Sequence, residues 1–174
     1  MVVSDERRSA LLNLLADHVL AHGLSASSLR PLAKAAHISD RMLLYYFQDK
    51  AAVMYATIEC VMLRLVAEMD AQKSEILLPL EQLQKQLSAI VCSDALWPYM
   101  RLWLEIASLA ARGDPFYRAV GGQIARGFLE WGSAQLDSSS PEQRAVDAAR
   151  LLVTLEGMAL LKSVGLDDVL AKAV

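Results

Sequence analysis

Residues 37 to 50, HISDRMLLYYFQDK, concentrate side chains that can grip and read a polyanion. Arg41 and Lys50 carry cationic donors, Ser39, Tyr45 and Tyr46 carry hydroxyls, and Met42 offers a flexible apolar contact. A guanidinium can span the two acceptors of a guanine edge, whereas hydroxyl and ammonium groups hold phosphate oxygens without reading sequence. Ser28, Arg30 and Lys34 add a hydroxyl and two cations just upstream. Elsewhere no nucleophile, base and orienting group stand at recognisable spacing, and no glycine loop suited to phosphate occurs, so the chain reads as a non-enzyme without a cofactor. His18 and His22 are four residues apart, but with no acidic or thiol partner they read as surface histidines, and no metal site is expected.

Short helices must position this set. From Asp5, the residues Leu11, Leu12, Leu15, Val19 and Leu20 recur on one helical face until Gly23 ends the run as a C-terminal cap would. Ser28 is placed to cap a second helix over Leu29 to Ala36, with Pro31 tolerated in its first turn. The chain then turns at His37, and Ser39 or Asp40 caps a third helix that ends near Phe47. Leu32, Ala33 and Ala36 supply a small packing face, Ile38 fills the turn, and Leu43 with Phe47 anchors the third helix at i, i+4. Two short helices joined by a four-residue connection make the helix-turn-helix plan, whose last helix enters the major groove of double-stranded DNA.

The stretch SSLRPLAKAAHISDRMLLYYFQDKAAV resembles the DNA-binding region of the tetracycline-repressor (TetR) family, with its pattern T-x-x-x-I-A-x-x-A-G-V-S-x-G-x-L-Y-x-Y-F-x-x-K. Ser28 takes the Thr place, Leu32-Ala33 the I-A, Ala36 to Ser39 the A-G-V-S, and Leu43, Tyr46-Phe47 and Lys50 the L, Y-F and K, without a gap. Three departures stand out. His37 replaces the turn glycine, Arg41 replaces the second glycine, and Leu44 replaces a tyrosine that contacts phosphate in the family. The resemblance implies a homodimeric transcription regulator, usually a ligand-responsive repressor of a palindromic operator. It places Arg41 and Met42, with Asp40 and Tyr45, toward bases, and Ser28, Arg30, Lys34, Tyr46 and Lys50 along the backbone, with Ser39 also among the DNA-binding residues. Simpler roles stay open: Asp40 as a cap, Tyr46 as core, Lys34 and Lys50 as solvated charges.

The rest of the chain is helical by periodicity, so the whole reads as all-α. A helix from Lys50 carries Met54, Ile58, Val61, Met62, Leu65 and Met69 on one side and fades at Ser74. Pro79 opens the next, another begins between Ser93 and Pro98 and runs to Arg112, and Gly113-Asp114-Pro115 is the clearest break. Long helices over residues 115–136 and 141–164 follow, with a short piece after Gly165. The domain division expected is 1–49 for the DNA-binding head and 50–174 for a helical effector-binding and dimerisation body. The 141–164 helix is apolar nearly all round and should be buried on several sides. Its predecessor carries Gly121, Gly122, Ala125, Gly127 and Gly132, which permit close helix approach. The resemblance pairs these last two long helices with their mates in a homodimer. A pocket for a small-molecule effector should draw on Met62, Met69, Trp97, Met100, Trp103, Phe116 and Met158, with Glu156 holding a cationic or hydroxyl-bearing ligand or pairing across the dimer.

The totals agree with this division. The 174 residues are 55% hydrophobic and 21% charged, enough for a substantial core and suggestive of apolar surface covered by a second subunit. Net charge is −3, but residues 1 to 50 hold six Lys/Arg against five Asp/Glu, and the remainder holds eleven against fifteen. A weak basic head on an acidic body weighs against strong phosphate binding, and it motivates an alternative: a TetR-like protein that no longer binds DNA and acts as a protein-binding coactivator. Cys60 and Cys92 lie far apart and read as free buried thiols. No leader or membrane-spanning run stands out, so a cytoplasmic protein is expected.

Overall fold

The computed structural model describes residues 5–173. Among them the chain forms nine α-helices, and a single isolated bridge, Leu78 to Leu136, is the only β pairing. The chain divides into two units, Met1–Glu68 and Met69–Val174.

The first unit contains α1 (Asp5–His22), α2 (Leu29–Ala35), α3 (Asp40–Phe47) and nearly all of α4 (Lys50–Asp70). Its core is drawn from the expected faces: Leu15, Ala16 and Val19 of α1, Leu32 and Ala33 of α2, Leu43 and Phe47 of α3, and Val53, Ile58, Val61 and Leu65 of α4 are all buried. Arg64 ties α4 to α1, donating to Asp17 Oδ1 at 2.6 Å, to Asn13 Oδ1 at 2.7 Å and to the Asn13 carbonyl at 3.1 Å. Gly23, at φ 77°, ends α1 as its sequence position requires.

The turn after α2 carries a complete left-handed cap. His37 N–H donates to the Lys34 carbonyl at 3.1 Å, and Ile38 N–H to the Ala33 carbonyl at 3.0 Å. This is the two-bond pattern that closes a helix when the residue past its end adopts a left-handed conformation, and His37 does so at φ 56°. A second left-handed residue, Gln48 at φ 68° and ψ −56°, follows α3, where Asp49 N–H reaches back to the Phe47 carbonyl at 2.8 Å in a tight γ-turn.

Several boundaries differ from the sequence expectation. The fourth helix stops at Asp70 rather than Ser74. The seventh stops at Ser133 rather than 136, because Gln135 and Asp137 leave the helix to bridge Leu78. Ser28 occupies the N-cap position of α2 but makes no side-chain cap; Ser39 does cap α3, accepting from Met42 N–H at 3.2 Å. Cys60 and Cys92 are free but half-buried rather than buried.

The second unit contains α5 (Leu80–Val91), α6 (Trp97–Ala111), α7 (Pro115–Ser133), α8 (Pro141–Ser163) and α9 (Asp167–Ala173). Helix α8 packs against α5, α6, α7 and α9, and Leu83, Leu87, Leu136, Ala148 and Leu151 form a buried cluster. Two of the α7 glycines serve close approach. A Cβ at Gly132 would stand 3.3 Å from Leu151 Cδ2 and one at Gly121 3.4 Å from Ile106, whereas a Cβ at Gly127 would meet nothing. The expectation that α8 is buried on several sides holds for part of its circumference only. Val146, Val153 and Leu160 remain 45%, 71% and 55% exposed in the single chain, and Val164, just past its end, continues the stripe.

A non-glycine residue in the left-handed region costs roughly 1 kcal/mol, most for a β-branched side chain. His37→Gly should therefore raise unfolding free energy by about that amount and His37→Val should lower it by more, as urea denaturation will measure.

Candidate functional site

Helix α3 is too short to hold itself in water, so its orientation comes from the two side chains it buries, Leu43 and Phe47. Arg8 of α1 adds a cation–π contact, its guanidinium carbon 5.0 Å from the centre of the Phe47 ring, a pairing that sequence spacing does not signal. With that face buried, Asp40, Arg41, Met42 and Tyr45 all point to solvent, Met42 at 42% and Tyr45 at 58% exposure. Met42 and Tyr45 are large side chains that an ordinary soluble surface would leave uncovered only singly.

Tyr46 is half-buried, edge-on to Tyr45 at 5.9 Å and tilted against Phe47 at 6.4 Å, so it belongs partly to the packing and partly to the surface. Ser28, Arg30, Lys34, Ser39 and Lys50 are exposed at the ends of the same three helices. The α2, α3 and α4 N-termini begin at Leu29, Asp40 and Lys50, so Ser28, Ser39 and Lys50 each stand at a helix start. Lys50 is a cation at the positive end of a helix, where the macrodipole disfavours it, so helix stability alone does not account for it. Asp49 supplies the cap of α4 instead, accepting from Ala52 N–H at 2.8 Å. The rings of His18 and His22 lie 4.7 Å apart with their planes tilted by 51°, and among the described residues no cluster of three or more His, Cys, Asp or Glu could hold a metal ion.

The second unit holds a cavity, partly open to solvent, among α5, α6, α7 and α8. Of the eight residues expected from sequence, Met69, Met100, Trp103 and Glu156 line it; Trp97, Phe116 and Met158 do not, and Met62 belongs to the first unit. Trp97 instead lies under the Lys162 ammonium, 5.1 Å from its ring centre, and Met158 is buried where its sulfur accepts from the Ser88 hydroxyl at 3.0 Å. Phe128, Trp131, Leu152 and Leu155 complete much of the wall and were not singled out, because apolar residues on a helix look alike until packing decides which face a void. Glu156 accepts a hydrogen bond from the indole N–H of Trp103. Burial pushes its carboxyl above the usual range, an effect that the Trp103 bond only partly offsets.

No family model and no curated protein matches the chain. Solved structures do. A transcriptional regulator from a Rhodococcus species superposes with a TM-score of 0.69 at 24% identity, over 91% of this chain and 82% of that one. A second Rhodococcus protein, assigned to the TetR family, gives 0.65 at 17% identity over 90% and 86%. A TetR-like regulator, also from Rhodococcus, gives 0.52 at 22% identity over 95% and 100%. The chain has the TetR-type fold. That fold has an N-terminal helix-turn-helix followed by further helices, and the resemblance over residues 28 to 50 falls on α2, α3 and the start of α4. Among the described residues no helix is long and apolar enough to cross a membrane.

Glu156 yields a stability prediction. A carboxyl whose pKa is raised on folding favours the fold while protonated and costs stability as pH rises through its unfolded value into the folded one. Glu156→Gln should melt higher than the parent at pH 7, and the difference should vanish near pH ~4, as paired thermal melts will show.

Proposed function

We propose that this chain is a DNA-binding transcriptional regulator, a ligand-responsive repressor that binds a palindromic operator as a homodimer. The observation that carries the reading is the outer face of α3: Arg41, Met42 and Tyr45 are exposed together on a helix whose other face is locked into the head. Arg41 and Met42, with Asp40 and Tyr45, are the base-facing set. Ser28, Arg30, Lys34, Tyr46 and Lys50 are the backbone set, with Ser39 beside them; Ser28, Ser39 and Lys50 are exposed at the starts of α2, α3 and α4, where backbone N–H groups and the helix dipole suit phosphate contact.

The homodimer is supported by α8. Val146, Val153 and Leu160 recur every seven residues, so they lie along one side of the helix, and their exposure is what an unpaired interface presents. Two heads must then meet half-sites about 34 Å apart or a multiple of it, so an effector that changes their spacing releases DNA. The body cavity, with Met69, Met100, Trp103 and Glu156, is the proposed effector site.

Gel shifts against the DNA flanking the protein's own gene should give salt-sensitive binding. Loss of a bidentate base contact costs about 1–3 kcal/mol, so Arg41→Ala should weaken specific binding roughly ten- to hundredfold, while Lys34→Ala should weaken it more evenly across sequences and reduce the salt dependence. Absence of salt-sensitive binding to any flanking fragment overturns the reading. Light scattering should give twice 19.1 kDa, and Val153→Glu, a change at an exposed position, should return the mass of one chain with the fold intact.

A further inference from the structure

The wall of the body cavity is apolar and aromatic around one acid. Trp103, Phe128 and Trp131 supply rings, Met69 and Met100 supply adaptable thioethers, and Glu156 is the one ionisable side chain on the wall. Both indole N–H groups are already committed, that of Trp103 to Glu156 and that of Trp131 to Asp70 Oδ1 at 2.9 Å. A ligand's polar end entering here therefore finds one strong side-chain partner, the Glu156 carboxylate, already oriented by Trp103.

We propose that the cavity selects an apolar organic cation, a hydrocarbon or aromatic body ending in one protonated amine that pairs with Glu156. This rests on the reading of the cavity as the effector site. Among the described residues no Lys or Arg lines it, so an ammonium supplies the countercharge that the wall lacks. A charge-assisted N–H to carboxylate bond is roughly twice as strong as a neutral one, and the low dielectric of an apolar wall strengthens it further. The rings add cation–π attraction, while the thioethers and leucines accept the hydrocarbon without demanding one shape. A ligand ending in a carboxylate meets the opposite balance, since two like charges cannot both ionise cheaply in such a site. A hydroxyl-ended ligand can donate to Glu156 but brings no charge. Burial holds the Glu156 carboxyl above its usual range, and a cation beside it would favour the charged form.

The test uses three matched probes on the full-length protein free of DNA: 4-phenylbutylamine, 4-phenylbutanol and 4-phenylbutyrate, followed by calorimetry and by the fluorescence of Trp103 and Trp131. The amine should bind at least about tenfold more tightly than the alcohol, and the acid most weakly. Glu156→Gln should erase the advantage of the amine and leave the alcohol unchanged. Equal binding of amine and alcohol by the parent protein overturns the assignment, whether or not the variant folds, and so does tighter binding of the acid. Failure of all three to bind overturns the cavity as a ligand site. The gel shift separates this from the regulator reading: an amine that binds a protein unable to bind DNA leaves the ligand class standing and removes the regulator, and retained DNA binding without amine selectivity does the reverse.

Discussion

Eight residues of helix have little stability in water, and α3 is eight residues long. Its existence depends on the burial of Leu43 and Phe47 and on the turn that delivers it, where His37 accepts a left-handed conformation so that Ile38 can close α2. Everything exposed on α3 inherits its position from that constraint. Arg41, Met42 and Tyr45 form a coherent face because Leu43 and Phe47 cannot rotate out of the core without emptying it. The turn tolerates histidine at some conformational cost, and γ-turn strain at Gln48 stands at the other end of the same helix. Local strain bracketing a short, exposed helix is the pattern expected where positioning matters more than stability.

In the second unit the organising element is α8, which meets four other helices and still keeps one side uncovered. Its polar residues divide the work. Asp147 is buried but satisfied, accepting from the Ser138 hydroxyl at 2.7 Å and from the Gln143 amide at 2.8 Å, bonds that hold its carboxyl below the usual range. Glu156, two and a half turns later, has a single indole donor and a cavity before it. One acid is closed off by its own helix start and the preceding loop; the other is left with capacity for a partner.

The head was legible because its signals are local. Caps, a turn residue and two apolar anchors lie within about twenty contiguous residues, and each acts on backbone within one or two turns of itself. Local signals do not decide every contact of the head: Ser28 stands at the cap position without capping, and the Arg8 contact with Phe47 joins residues too distant in sequence for any spacing rule. The body was legible as helices but not as a site. Trp97 and Met158 are the same residue types as Trp103, Met69 and Met100, yet only the latter three meet the void.

What the sequence determined by itself was therefore the all-α class, the order of helices and their main breaks, and the first three helices, two of them short, since periodicity and capping are written in neighbouring residues. The tertiary structure decided which side of α8 is covered, which glycines of α7 allow close approach, and which acid faces a cavity. Those outcomes follow from how helices far apart in the chain rotate about their axes to fill space. A rotation of one residue's arc exchanges wall for core without changing any local preference.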